Sequence, residues 1–420
     1  MAATVHHVRI SVRNGPQMLK KFTKCLGFRL FAERRTVSSN QWAVRSGSAI
    51  FVIIERPCSL PATGELCERD PDQEIMSRSN SHREECCPHV NSVYDVTFQV
   101  SDVDRTFSHA RDNGAKVLET PHFDEDDLGR VRRAVVKSCV GDVVHTLLDT
   151  SEYTGSFLPG FKYIHDKETN NVSSSRDSLS HFDHVTYACP MGATEDILMF
   201  YEHCFGLKRF LVNRSEDVTE GYVVKGEDMA MRLKAMQYWK CAETHLGSVE
   251  SSSTPQIKFV IAEPLPGQGP NQVETFLRNH GGAGIQHIGL HTSDIVASTA
   301  AITEAGLPLI VPPDAYYTEI GKLHEIQYVG ENVDLMQKYC ILLDSEADAG
   351  NTSNTDVAEG HRYLMQVFTQ PIFEEDTFFL ELIQRHGATG FGAGNITALW
   401  RSVQVYMNKQ ESKRDLANKS

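Results

Sequence analysis

Near the C-terminus the chain reads FFLELIQRHGATGFGAGN, from Phe378 to Asn395. Strand alternation puts Phe379, Glu381 and Ile383 on one face and Phe378, Leu380 and Leu382 on the other, so neither face is wet. A carboxylate among such neighbours is costly unless something compensates its charge. The partner could be an arginine, a second acid sharing a proton, or a metal ion. Two histidines give the last option substance. His184 lies in FDHVTYAC, with Phe182 and Thr186 on its face, and His287 lies in IQHIGLHT, with Ile285 and Gly289 on its face. Two imidazoles and one carboxylate pointing inward make the facial set suited to non-haem Fe(II), with other coordination positions left open.

The elements that must position these groups repeat along the chain. HHVRISV is followed by MLKKFTKCLGFRLFAER, VYDVTFQV by VDRTFSHARDNGAKVLETP, FDHVTYAC by ATEDILMFYEHCFGLKRFLVN, and IQHIGLHT by IVASTAAITEAGLPLIVPP. Each unit reads as an alternating strand, an amphipathic helix and a glycine cap at Gly27, Gly114, Gly206 or Gly306. Further strands follow each cap, giving a strand-helix-strand-strand-strand module. The expected class is α+β, with four βαβββ modules. Polar inserts at residues 57–91, 241–256 and 345–360 read as surface loops. DKETNNVSSSRDSLS, residues 166–180, is the linker candidate, separating an N-terminal unit, 1–165, from a C-terminal unit, 181–420.

The first half is a control for the second. His7 stands where the later repeat has His184, Asp95 where it has His287, and Leu147 roughly opposite Glu381. The N-terminal half therefore lacks the carboxylate and is expected to carry no metal and to serve structure only. GFGAGN invites a nucleotide-loop reading, but it lacks the Lys-Ser/Thr pair and the βαβ context of a phosphate loop.

Composition narrows the partners. Hydrophobic residues make up 40% and charged residues 23% of 420, as in a soluble globular protein. Net charge is -14 with no long basic run, which argues against nucleic acid. No apolar stretch approaches the roughly 20 residues of a membrane span. The 10 cysteines form no CxxC pair, so reduced thiols are expected; a zinc or redox role for Cys58, Cys67, Cys86 and Cys87 would need tighter spacing. The first 32 residues hold no acid and several Lys and Arg, like a mitochondrial presequence, yet HHVRISV reads as a true first strand.

Repeated units of this kind resemble the vicinal oxygen chelate superfamily, in which two modules curl into a half-open barrel around a metal. That resemblance implies two such barrels here. At the chemistry-bearing residues the C-terminal half resembles 4-hydroxyphenylpyruvate dioxygenase, in FDHV, AEPLPG, NHGGAGIQHIGLHTSDI, YLMQVFT and FFLELIQRHGATGFGAGN. The likeness covers residues 181–405; the N-terminal half matches only in module pattern. It implies Fe(II) held by His184, His287 and Glu381, and a pocket lined by Gln286, Gln366, Phe368, Phe379, Phe391 and Asn395. A small aromatic α-keto acid and O2 would be the partners, and a homo-oligomer stays open. ITALWRSVQVYM has Ile396, Leu399, Trp400, Val403 and Met407 at helical spacing with Asn395 as N-cap; the resemblance implies that this helix is a lid over the iron, and a core-packing helix fits the same pattern. Two positions depart from the homogentisate-forming members: Ala262 replaces the Asn of an NEP motif, and Ala235 stands for a Ser on the preceding strand. Their loss is expected to let the ring tilt, giving 4-hydroxymandelate by benzylic attack; the alternatives are homogentisate formation and a non-catalytic binding protein on the same fold. A vertebrate branch of the family implies a mitochondrial location and a role in ubiquinone head-group synthesis.

Overall fold

The computed structural model describes residues 4–56, 90–164, 179–211, 216–226, 229–238, 257–266, 271–318, 320–346, 362–392 and 394–396. Cys58, Cys67, Cys86, Cys87 and Cys241, most of the expected linker, and the stripe from Leu399 to Met407 lie outside them.

The first module runs β1 (Thr4–Val12), α1 (Gly15–Lys20, continued as a π-turn to Cys25), β2 (Arg29–Arg35), β3 (Asn40–Ser46) and β4 (Ala49–Glu55). The second runs β5 (Ser92–Gln99), α2 (Val103–Asp112), β6 (Lys116–Asp126), β7 (Gly129–Lys137) and β8 (Val144–Asp149), with a short β9 (Lys162–Tyr163) after it. The third runs β10 (Leu179–Ala188), α3 (Thr194–Phe205), β11 (Leu207–Phe210), β12 (Tyr222–Gly226), β13 (Met229–Tyr238) and β14 (Lys258–Pro264), then α4 (Gln272–His280). The fourth opens with β15 (Gly284–Thr292) and α5 (Ile295–Glu304) and closes with β16 (Leu342–Ser345), β17 (Tyr363–Phe368) and β18 (Phe379–His386). The last two residues of the expected linker thus belong to β10. The four capping glycines all take the positive φ that a side chain resists.

The fourth module departs from the sequence reading. LPLIVPP forms only an isolated bridge between Leu309 and Thr369. Pro308, Pro312 and Pro313 offer no N–H to a ladder. Three short helices follow, α6 (Asp314–Thr318), α7 (Ile320–Tyr328) and α8 (Val333–Lys338).

Two sheets result. Their orders are β6-β7-β8-β5-β1-β4-β3-β2-β9 and β11-β13-β14-β10-β15-β18-β17-β16, with β12 paired to β13. In each sheet the opening strands of two modules meet antiparallel at the centre, and each has its own module's last strand parallel on its other side. Residues that open a module are therefore brought together near the local two-fold. β1 holds one of those central places, so its removal would take out a core strand.

One core joins the backs of both sheets and the helices, with Phe51 and Phe182 in edge contact at 5.1 Å. Smaller apolar cores fill the concave side of each sheet. The large core holds a buried polar knot. Tyr201 Oη of α3 lies 2.9 Å from His145 Nε2, 2.9 Å from Ser138 Oγ and 2.8 Å from Tyr187 Oη. Burial lowers the His145 pKa to about 4, so its ring is neutral. Since these groups come from both halves, the knot fixes how the sheets dock. Tyr201→Phe removes the shared oxygen and leaves buried polar partners unmet. We expect a loss of about 1–3 kcal/mol in urea unfolding with metal uptake unchanged.

Candidate metal centre

Simple alternation does not place the two histidines; a pair of bulges does. Across β10 and β15, Phe182 pairs with Leu290 and His184 with Gly289, so Asp183 is an extra residue. Thr186 then pairs with His287 and Tyr187 with Ile285, so Gln286 is extra on the other strand. A bulge re-aims the side chains on either side of it. Phe182 and Ile285, expected beside the histidines, turn into the core behind the sheet. Gln286 and His287 both line the concave cavity instead.

His184, His287 and Glu381 converge, their ligand atoms all lying within 4.8 Å of one another. Glu381 Oε2 is 3.1 Å from His184 Nε2 and 3.7 Å from His287 Nε2. Glu381 is 2% exposed. The nearby guanidinium, Arg385, is engaged elsewhere, so the buried carboxylate is not held by an arginine. Two Nε2 atoms and one carboxylate oxygen turned to a common point fit a divalent cation. Among the described residues this is the cluster of that kind.

Each ligand is held from behind. Asp183 Oδ1 lies 2.9 Å from His184 Nδ1, and Arg385 donates to both oxygens of Asp183 at 2.7 Å. Burial raises the Asp183 pKa, but Arg385 and His184 more than offset it and hold it well below the usual range. Asp183 is thus a fixed anion that leaves Nε2 of His184 for the metal. Gln366 Nε2 donates to Glu381 Oε1 at 2.9 Å and to the Phe391 carbonyl at 3.1 Å. Asn395 Nδ2 donates to Gln366 Oε1 at 3.0 Å, and Tyr316 Oη donates to Asn395 Oδ1 at 2.7 Å. Phe379 stacks on His287 at 4.7 Å, and Phe391 meets His184 edge-on at 5.2 Å.

Two glycines make room for this. A methyl at Gly289 would sit 2.3 Å from His184 Cε1. Gly392 has φ +68, and a methyl there would sit 1.9 Å from Gln366 Oε1. Within GFGAGN, Gly392 and Gly394, where a methyl would sit 2.2 Å from Asp344 Oδ1, have packing roles that need no nucleotide.

The cavity above the centre holds about 580 Å³, part of it open to solvent. Gln286, Gln366, Phe368, Phe379, Phe391 and Asn395 all line it, as does Ala262. Ala235 does not. It is buried two residues along β13 from Leu233, and Met231 and Leu233 form that wall. Asn395 is not a helix cap. Its side chain is used by Gln366 and Tyr316, while Asp344 Oδ1 accepts from the Gly394 N–H at 3.2 Å. Gln272 and Tyr316 were not anticipated. The N-Q-V-E run from Asn271 to Glu274 is a capping box that could have announced α4 and Gln272 at its start. Tyr316 follows a proline pair and offers no comparable signal.

Register also corrects the first-half comparison. His287 pairs with Phe379 and Asp95 with Val144, so the position matching Glu381 is Thr146. Leu147 is one residue off and points into the core behind the sheet. The loss of the carboxylate stands.

A double half-barrel with a two-imidazole, one-carboxylate centre defines a vicinal oxygen chelate enzyme of the non-haem Fe(II) dioxygenase class. No protein-family model matches the chain. It is 34% identical over 405 residues to a 4-hydroxyphenylpyruvate dioxygenase-like protein of Rattus norvegicus, covering 95% of both chains. It is 30% identical over 414 residues to a 4-hydroxyphenylpyruvate dioxygenase of Aspergillus fumigatus, covering 95% of this chain and 91% of the other. Its fold matches a mutant 4-hydroxymandelate synthase from Streptomyces coelicolor with TM-score 0.72 at 22% identity, over 96% of this chain and 99% of that one. The chain belongs to the 4-hydroxyphenylpyruvate dioxygenase family.

Two outcomes test the centre. Gly289→Ala should drive its methyl into His184 and weaken divalent-metal binding about tenfold or more by calorimetry; Asp183→Asn should weaken it about 10–100-fold. Without metal, burial opposes the charge on His184, but Glu381 and Asp183 outweigh it and raise its pKa to about 9. The metal must displace that proton. Affinity should therefore rise with pH until about 9 and then level off, and calorimetry at pH 7 in buffers of different ionisation enthalpy should show proton release.

Proposed function

We propose that the chain is a dioxygenase acting on 4-hydroxyphenylpyruvate, forming 4-hydroxymandelate and CO2. One atom of O2 enters the new carboxylate and the other the benzylic hydroxyl, so no further reductant is needed. A bound Fe(II) supplies the O2 chemistry that couples decarboxylation to hydroxylation.

The residues described here bind and orient. Gln366 and Asp183 hold the ligand side chains in place, so the keto-acid end of a substrate meets a preset site. Phe368, Phe379 and Phe391 flank a flat ring and keep water from the reacting carbon.

The distribution of polarity in the cavity carries the product assignment. Its amides, Gln272, Gln286, Gln366 and Asn395, lie on α4, β15, β17 and the turn after β18. The wall from β13 and β14 is Met231, Leu233, Val260 and Ala262. An apolar wall leaves the ring free to slide along it, which favours presenting the benzylic carbon rather than the ring carbon. Family membership supports the substrate class; the apolar wall supports this product over homogentisate. We extend the reading to a mitochondrial enzyme that feeds ubiquinone head-group synthesis, since a benzylic alcohol is a route to shortening the side chain. Finding the protein outside mitochondria in a cell fractionation would remove that extension.

The test is anaerobic Fe(II) loading, then 4-hydroxyphenylpyruvate and O2, with chromatography against both standards, because the two products share one formula. 4-Hydroxymandelate is expected; homogentisate would overturn the product assignment. Ala262→Asn adds a hydrogen-bonding group to the apolar wall. At about 1 kcal/mol it should move the product ratio toward homogentisate about fivefold. A protein that takes up no Fe(II) would instead be a non-catalytic binder.

A further inference from the structure

The first half-barrel has a cavity of about 350 Å³, part of it open to solvent, at the place corresponding to the metal cavity. The same two bulges frame it. His6 is the extra residue on β1, as Asp183 is on β10, and Tyr94 is extra on β5, as Gln286 is on β15. Within this shared frame the charge is inverted. Arg9 takes the position of Thr186, and Arg133 that of Gln366, since Arg133 pairs with Leu148 as Gln366 pairs with Ile383. Thr97 takes the position of Gly289.

Three guanidinium groups, Arg9, Arg34 and Arg133, line this cavity with His7, against one lining carboxylate, Asp124. Arg9 Nε donates to His7 Nε2 at 3.2 Å and lies 3.7 Å from Asp95 Oδ2. Arg133 pairs with Glu119 and Asp124, each at 3.4 Å. Asp95 is turned toward Thr146, which donates its hydroxyl at 2.7 Å and its N–H at 3.1 Å. Arg34 differs from the other two arginines. It is half-buried at the cavity, and no hydrogen bond or ion pair of its side chain is found among the described residues. The rest of the wall is Thr146 and the apolar Val131, Leu148, Leu158, Pro159 and Phe161.

Asp95, Glu119 and Asp124 answer Arg9 and Arg133, so Arg34 is the cation at this cavity that suits an anion with an apolar body. We propose that the N-terminal half-barrel is a second small-molecule site, which takes an organic carboxylate. Arg34 is its charge partner, with Arg9 and Arg133 behind it, and the leucines and Phe161 take the hydrocarbon part. The half that lost its metal ligands is then a binding module and not merely a support.

The test uses the full chain stripped of metal with a chelator, titrated calorimetrically with phenylacetate. One-site binding is expected. Arg34→Gln should weaken it at least about tenfold with the melting temperature unchanged, because Arg34 holds no ion pair among the described residues. Arg34→Lys should recover part of the affinity, and His184→Ala should leave it intact. Absence of binding in the parent protein overturns the proposal. So does equal affinity in Arg34→Gln, or a loss in His184→Ala alone, which would put the ligand in the C-terminal cavity. Inorganic phosphate binding more tightly than phenylacetate would overturn the carboxylate assignment.

Discussion

The structure turns on a negative charge kept out of water. Glu381 lies on a strand whose residues from Phe379 to Ile383 are all buried. A carboxylate there is stable only if positive charge and hydrogen-bond donors surround it. Gln366 covers one oxygen and the paired imidazoles face the other. Glu381 cannot also be answered by Arg385, because that side chain is committed to Asp183. The assignment of charges is thus exclusive: Arg385 neutralises the anion behind His184, and the space in front of Glu381 is left to a metal.

That exclusivity depends on backbone geometry more than on side-chain choice. Both half-barrels carry a bulge on each central strand at matching places, and β10 has a further one at Ser180. Without them, residues alternating with His184 and His287 would line the cavity, and Asp183 and Gln286 would face away from it. One frame supports a cation site in one half and a guanidinium-lined cavity in the other. What changes between them is a handful of side chains at fixed positions, which is how one fold comes to hold different chemistry.

Much of this was legible in the sequence, and the parts that were not share a cause. The module elements and capping glycines follow from local periodicity and turn chemistry, and the three converging residues from their matching places in the repeats. The six residues named for the pocket line the cavity. The misplaced residues are those whose facing depends on a count across strands. Thr146, not Leu147, matches Glu381, and Phe182 and Ile285 face away from the histidines; Ala235 does keep the concave face of Leu233 and differs only in its place along β13. A bulge adds one residue to one strand only, and a single sequence carries no mark of it. The helical insert that supplies Tyr316 was also hidden, since its short helices have little periodicity to read.

That insert links the metal centre to distant parts of the fold. Tyr316 accepts from the Leu343 N–H at 2.9 Å and binds Asn395, which binds Gln366, which binds Glu381. The turn after β18 is held independently, by Arg385 at the Gly390 carbonyl and by Glu346 at the Thr389 and Gly390 N–H groups. The segment that closes the cavity is therefore anchored to the same arginine that holds Asp183. Any displacement of Phe391 and Asn395 must alter what Gln366 offers to Glu381. Closure of the cavity and orientation of the carboxylate ligand are one mechanical unit, so a substrate that presses on Phe391 acts on the metal site without touching a ligand.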